Sequence, residues 1–179
     1  MFNTTKQNIV WITVIAGIIM AALSRFLPHP PNFTPIAALA LFSGACIGNK
    51  KLAFLLPLGG MLLSDLIFEL VKPGYGFHIT MPYVYGSFLL IILLGMLNKK
   101  LAPGKLLATS LAGSVLFFAI TNFGTWLAYY PHTMAGFTQN YLMALPFFHN
   151  SIVGDVFFNL VLFGGLYFAT SKVKEFQKA

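Results

Sequence analysis

Long apolar runs recur from one end of the chain to the other, and they limit its fold more than any other feature. The runs are continuous and do not alternate with polar residues, which indicates membrane-spanning helices rather than the strands of a β-barrel. Six runs qualify, the second short enough to be tilted or partly buried: 8–27, 35–48, 53–71, 81–98, 106–129 and 150–171. The prediction is an all-α membrane protein, a single domain over residues 1–179 folded as a compact bundle of six transmembrane helices.

Charged residues are scarce and unevenly placed. They make up 8% of the chain, against roughly 25% in a soluble domain. If both termini lie on one side of the membrane, that side holds nine lysines and the other side holds only Arg25 and Lys72. Because cytoplasmic loops carry the excess of Lys and Arg, the asymmetry predicts cytoplasmic termini in a bacterial cytoplasmic membrane. The net charge of +7 is accounted for in this way, and no nucleic-acid partner is expected.

Carboxylates are predicted near the outer ends of two helices. Asp65 lies in the outer half of the third run and Asp155 in the outer half of the sixth. An ionisable side chain inside a membrane span is costly unless it is paired or faces water, so each Asp marks a functional site by default. The alternative is a structural role, either in an ion pair with Arg25 or Lys72 or in hydrogen bonds to helix ends. Glu69, one turn nearer the surface, is expected to reach water.

The four histidines fall on the same predicted side. His29, His78 and His132 lie in the outward connections, and His149 lies just before the last helix. A single interfacial histidine is typically a hydrogen-bonded surface residue, whereas four of them near two carboxylates are equally consistent with a site for a metal or a polar cofactor. The spacings match no zinc motif such as HExxH. The single cysteine, Cys46, excludes an internal disulfide and a cysteine-rich metal site.

Aromatic residues are concentrated in two outer segments, YGFHITMPYVYG (75–86) and TNFGTWLAYYPHT (121–133). Trp and Tyr form a belt at membrane interfaces, and the same side chains suit the wall of a pocket for a ring-bearing ligand. Both interpretations stay open.

The segment SRFLPHPPNFTP (24–35) is rich in proline and is predicted to be extended. Irregular backbone at membrane depth must be covered by protein or line a wet cavity. We therefore expect this segment to fold over the outer end of the bundle as a rigid rim that presents Arg25, His29 and Asn32 to a pocket.

Four segments, RFLPHPPNFTP, SDLIFELVKPGYGFHITMPYVYG, TNFGTW and PFFHNSIVGD, resemble a bacterial family among the substrate-binding S components of energy-coupling factor vitamin transporters. That family includes the solitary cobalamin-binding S components. The resemblance implies six helices with loops roofing an extracellular-side pocket. In the cobalamin-binding relatives an Asp near the end of helix three, a cobalt-ligating loop Cys and a following Tyr line the site. The matching positions are Asp65, His78 and Tyr83, so His78 stands where those relatives have Cys; imidazole is a suitable axial ligand for cobalt or iron.

These observations predict a non-enzymatic subunit that binds a vitamin or tetrapyrrole-like cofactor for uptake, with a cobalamin-type corrinoid as lead ligand and no catalytic cofactor. The chain lacks the P-loop GxxxxGK[ST], so driven transport requires an energising partner complex. The predicted ligand-binding residues, with His78 also the axial metal ligand, are Arg25, His29, Asn32, Asp65, His78, Tyr83, Tyr85, Asn122, Trp126, His132, His149 and Asp155.

Two alternative functions use the same residues. A haem- or metal-binding membrane enzyme or redox protein needs paired axial ligands and room for a second substrate. A secondary metal- or proton-coupled transporter needs a polar path into the inner half of the bundle, where Asn159 is the deepest polar residue that the sequence suggests.

Overall fold

The computed structural model describes residues 4–24, 27–28, 30–98 and 100–176, and within them the chain forms six helices and no strand. The helices are α1 Thr4–Ser24, α2 Ile36–Cys46, α3 Lys50–Val71, α4 Met81–Met96, α5 Pro103–Tyr129 and α6 Met134–Phe176. The predicted all-α class is therefore confirmed for the described residues.

Helix length divides the six into two groups. Four of them, α1, α3, α5 and α6, are long and apolar enough to cross a membrane. Helices α2 and α4 have 11 and 16 residues. At about 1.5 Å per residue, both are shorter than the roughly 30 Å of a bilayer's hydrocarbon core. The backbone at their ends therefore needs protein around it wherever it lies at membrane depth.

Helix α2 is the centre of the bundle. It contacts all five other helices, and its buried residues include Ala38 to Gly44 without a break. Its sequence, IAALALFSGAC, has no charged residue and is apolar on every side, as expected of a helix surrounded by protein. The second apolar run was expected to be tilted, partly buried or extended by a few loop residues, and the structure shows a helix of 11 residues that is largely buried.

Glycine lets α2 and α4 approach each other backbone to backbone. A Cβ added to Gly44 would overlap the carbonyl oxygen of Ile92, and one added to Gly95 would overlap that of Leu41. Small residues commonly permit such close approach between membrane helices. The contact also places the C-terminal ends of α2 and α4 side by side, so the two helices run in the same direction.

Helices α5 and α6 form a long antiparallel hairpin around the short turn at residues 130–133. Side chains join the two helices at three levels. One bonded pair at each level, in order from the turn, is Asn140 Nδ2 to Asn122 O (2.8 Å), Ser114 Oγ to Asp155 Oδ2 (2.6 Å) and Asn159 Nδ2 to Ser110 Oγ (2.8 Å). The hairpin fixes how deep each polar residue of α6 lies.

The last helix is longer than the sequence predicted. It begins at Met134 instead of near residue 150, and it continues through Pro146. A proline removes one backbone hydrogen bond and bends a helix, but it does not have to end it. The turns before the proline are held against α5, where the Tyr141 hydroxyl donates to Ala119 O (2.7 Å).

This longer helix corrects the predicted positions of two residues. His149 lies inside α6, not in a connection before it. Asp155 is level with Ser114, near the middle of α5, and not in the outer half of the last helix. The prediction failed because it counted depth from residue 150, whereas the helix starts about four turns earlier.

The two ends of the bundle differ in composition. We call the end that holds the 72–80 connection and the 130–133 turn the aromatic end, and the end that holds the turns at 47–49 and 97–102 the lysine end. The aromatic end is named for the aromatic residues in and beside its connections, and the lysine end for the lysines in and beside its turns. All the predicted ligand-binding residues that precede α6, apart from those outside the described ranges, lie toward the aromatic end.

The described part of the proline-rich segment packs against α6. Asn150 Nδ2 donates to Pro31 O (3.1 Å), and the ring of Phe33 lies 5.3 Å from that of Phe158. Asn32 between them is exposed and has a φ of 64°, a left-handed conformation that asparagine tolerates better than most residues. Helix α6 therefore covers one side of this irregular backbone.

Candidate functional site

Glu69 organises the connection between α3 and α4 at the aromatic end. Its Oε1 accepts a hydrogen bond from Gly74 N (2.8 Å), and its Oε2 accepts from Gly76 N (2.8 Å) and Phe77 N (3.3 Å). Gly74 has a φ of 84°, in the left-handed region that favours glycine. The carboxylate that the sequence assigned only to water therefore holds this loop in one conformation.

Asp65 is buried beneath the same connection, with 2% of its surface exposed. The hydroxyl of Tyr85 on α4 donates to Asp65 Oδ2 (2.5 Å), a length typical of a hydroxyl bonded to a carboxylate. The sequence left Tyr85 open as part of an interface belt or of a pocket wall, and the structure shows its hydroxyl bonded to Asp65. The backbone of Gly76 lies directly over Asp65, because a Cβ at that position would overlap Asp65 O.

His78 is exposed on this connection. Its Nδ1 lies 2.7 Å from Thr80 Oγ1, and Thr80 itself is buried. The contact orients the imidazole and leaves Nε2 as the nitrogen without a partner among the described residues. A hydrogen bond to one ring nitrogen is the usual arrangement when the other nitrogen of a histidine binds a metal.

Tyr83 packs against the end of α5. Its ring fills the space beside Gly124, where a Cβ would overlap it, and lies 6.3 Å from the ring of Phe123. Tyr83 and Tyr85 are two residues apart on one helix, so they face different neighbours, α5 in one case and Asp65 of α3 in the other.

Trp126 and His132 form an aromatic cluster with Phe123 and Phe137. The Trp126 ring lies about 5.5 Å from each of the other three. Trp126 Nε1 donates to Pro131 O (3.0 Å), and His132 Nε2 lies 3.0 Å from a backbone oxygen of α5. These contacts lie at the α5–α6 turn, so the Trp126 indole nitrogen and His132 Nε2 each have a backbone partner there.

The remaining predicted residues are not part of these groups. Asn122 donates its side-chain amide to its own helix, at Phe118 O (2.8 Å). His149 is exposed on α6. Asp155 is buried in the middle of the bundle, where a small cavity beside it is lined from α2, α4 and α5 as well as from α6. Arg25 and His29 lie outside the described residues.

The structure thus brings together Asp65 with Tyr85, and Tyr83 with the Trp126–His132 cluster, on adjacent faces of α4. Asp155 occupies a separate neighbourhood. Among the described residues no three of His, Cys, Asp and Glu lie close enough to hold a metal ion.

Sequence reasoning missed a buried polar network on the α5–α6 hairpin. Hydrogen bonds connect its residues, except that Thr109 and Ser110 are connected as consecutive residues of α5. All the members are buried: Asn98, Thr109, Ser110, Ser114, Asp155 and Asn159. The sequence did carry one signal, the spacing of these residues. Ser110 and Ser114 are four residues apart on α5, and so are Asp155 and Asn159 on α6. Residues four apart share one face of a helix.

Comparison with known proteins gives one family match. The sequence model of a family of unknown function, DUF6580, matches residues 5–177. No curated protein and no solved structure matches the chain.

Proposed function

The chain belongs to the DUF6580 family, and we propose that it is a membrane-embedded binding subunit for a vitamin or tetrapyrrole-like cofactor, with a cobalamin-type corrinoid as lead ligand. In this proposal the bundle spans a bacterial cytoplasmic membrane six times with both termini inside. The aromatic end faces outward, and an energising partner complex drives uptake from the cytoplasmic side. The chain itself is not an enzyme.

The observation that carries the proposal is the buried Asp65–Tyr85 pair under a preformed loop. A buried carboxylate in an apolar bundle is costly, so its presence at the end of a helix favours a functional role. Glu69 fixes the loop above it through three backbone bonds. A loop that is already ordered loses little entropy when a ligand binds, which favours high affinity.

His78 suits the axial position of a corrinoid. Its imidazole is exposed, its Nδ1 is engaged by Thr80, and its Nε2 is available. Tyr83 on α4 and Trp126 on α5 offer ring surface at the same end of the bundle, and Asn32 stays a predicted contact. Arg25, His29, Asn122, His132 and His149 stay predicted contacts, whereas Asp155 lies in the separate neighbourhood beside Ser114.

Titration with hydroxocobalamin tests the proposal directly. The purified protein is expected to change the visible spectrum of the corrinoid when imidazole replaces its upper ligand. His78→Ala should abolish the spectral change, while Ile79→Ala, an exposed neighbour in the same loop, should keep it. Asp65→Asn should weaken binding without changing the spectrum of the bound form. If the wild-type protein neither binds nor alters hydroxocobalamin, the corrinoid proposal is wrong.

The buried polar network favours a second candidate, a proton- or metal-coupled secondary transporter. It extends from Asp155 at mid-depth to Asn98 in the turn at the lysine end. Such a transporter needs a polar path through this half of the bundle. Proton flux into liposomes that contain the protein, lost in Asp155→Asn and kept in Asp65→Asn, would support this function over the first.

A further inference from the structure

The small cavity beside Asp155 lies inside the bundle at mid-depth, and we call it the Asp155 cavity. Helices α2 and α4 supply only apolar residues to its wall. The oxygen-bearing side chains of the wall come from the α5–α6 hairpin and are Thr109, Ser110, Asp155 and Asn159. The space between them is too small for a water molecule.

Asp155 brings a buried carboxylate to this cavity. It is 6% exposed, and among the described residues no cation pairs with it. Ser114 Oγ donates to its Oδ2 (2.6 Å), which leaves Oδ1 without a partner in that part of the chain. A hydroxyl group stabilises a carboxylate but does not neutralise it, and a buried charge without a counter-charge is costly in an apolar bundle. One positive charge beside Asp155 would offset this cost.

Asn159 brings a second oxygen to the same cavity. The residue is 8% exposed, and its Nδ2 donates to Ser110 Oγ (2.8 Å). Its Oδ1 is fully buried and has no hydrogen-bond partner among the described residues, so this oxygen faces the interior of the bundle. Asp155 and Asn159 lie one turn apart on one face of α6, and both line the cavity. A buried acceptor without a partner is destabilising, and a cation satisfies it as a donor does.

We propose that the Asp155 cavity binds one sodium ion. Its ligands are a carboxylate oxygen of Asp155, Oδ1 of Asn159 and Oγ of Ser110, the oxygen donors that hard cations prefer. One carboxylate balances a monovalent ion, whereas a divalent ion would leave a net positive charge buried. Because Na⁺ is smaller than a water molecule and K⁺ is about as large as one, a space that excludes water favours Na⁺.

The sodium site goes beyond the binding function proposed for the aromatic end. Among the described residues predicted to bind the vitamin-like ligand, Asp155 alone lines this cavity. The site shares Asp155 with the candidate transporter function but does not rest on it, because an ion can bind without being transported. Proton flux through a protein that binds no Na⁺ would keep that candidate and overturn the sodium site.

Equilibrium binding of radioactive sodium to the full chain in an uncharged detergent tests the proposal. We expect saturable binding of one ion per chain, with unlabelled Na⁺ competing roughly tenfold or more better than K⁺. The melting temperature should also be several degrees higher in NaCl than in KCl at equal ionic strength, because an ion that binds only the folded state stabilises it.

Gly113 offers a variant that keeps every oxygen ligand. It lines the cavity, and the nearest atoms to an added Cβ belong to Ile91, at 3.5 Å or more, which is ordinary contact. Gly113→Ala should therefore fold, take up space in the cavity and abolish Na⁺ binding. Gly104→Ala is the matched control, because its Cβ on the same helix meets open space and Na⁺ binding should be unchanged.

Asp155→Asn removes the charge and should also abolish Na⁺ binding. Its control is Ser151→Ala, one turn earlier on α6, where a buried hydroxyl bonds only to Phe147 O of its own helix; this variant should bind Na⁺ as the wild type does. If Asp155→Asn does not fold, Gly113→Ala still decides the question. No Na⁺ binding by the wild type, equal competition by K⁺, or binding that survives Gly113→Ala or Asp155→Asn would overturn the proposal.

Discussion

The close contact between α2 and α4 gives the sharpest prediction about stability. Gly95→Ala would place a methyl group more than 1 Å inside the 3.4 Å at which ordinary contact begins, against the carbonyl oxygen of Leu41. The same Cβ would lie 3.1 Å from Gly44 Cα and from Ala45 N. All three obstacles are backbone atoms, which cannot rotate away as a side chain can, so the two helices must separate.

Separation would disturb a tightly packed region. Leu41, Phe88, Ile91 and Ile92 form one buried cluster at this interface, and α2 also contacts every other helix. Overpacking a core typically costs about 1–3 kcal/mol. We expect Gly95→Ala to lower the free energy of unfolding by at least about 2 kcal/mol, because the strain passes to several helix contacts at once.

Thermal unfolding in detergent, followed by circular dichroism, measures the effect. At about 2–4 °C per kcal/mol for a chain of this size, Gly95→Ala should melt several degrees below the wild type. Gly86→Ala is the control: it lies in the same helix, and its Cβ would have no heavy atom within 4 Å. Because alanine is the better helix former, this control should melt at or above the wild-type temperature. Equal melting of the two variants would refute the close approach of α2 and α4.

Three further predictions concern the aromatic end. Glu69→Ala removes the acceptor of three backbone N–H groups, so hydrogen exchange at residues 74–77 should accelerate about tenfold or more; exchange as slow as in the wild type would exclude this role. Tyr85→Phe removes the hydroxyl donor from buried Asp65 and should lower the free energy of unfolding by about 1–3 kcal/mol, measured by the same melting assay, whereas a change below about 0.5 kcal/mol would contradict the bond. Gly124→Ala should displace the ring of Tyr83 and weaken binding of any ligand at that end, while Gly104→Ala, which meets open space, should bind as the wild type does.

Much of the fold was predictable because apolar runs report helices directly. The run at 53–71 corresponds to α3 and the run at 81–98 to α4, with their ends within a few residues of the structure. The run at 106–129 became a helix that starts at Pro103, since proline is well suited to the first turn of a helix. The start of α6 was predicted wrongly because it depends on contacts with another helix and not on the local sequence. The predicted sixth run begins only after Pro146, at residue 150, and nothing local shows that the turns before this proline are held by α5.

The candidate site was only partly predictable. The place of Asp65 in an apolar run predicted a side chain that is paired or faces water, and the structure shows it buried and bonded to Tyr85. The identity of this partner was not predictable, because the two residues are 20 apart on different helices. Trp126 and His132 were expected to face a ligand, and the structure engages both in closing a turn.

The sequence by itself determined that this chain is helical and apolar enough for a membrane, because composition and the length of each run act locally and need no partner. Only the tertiary structure decided how deep each polar side chain lies in the bundle and which side chain it bonds to. Asp155 meets Ser114 across 41 residues of chain, and Asn159 meets Ser110 across 49. Those meetings depend on how α6 aligns along α5, and that alignment is set by packing over the whole hairpin, which no single segment encodes.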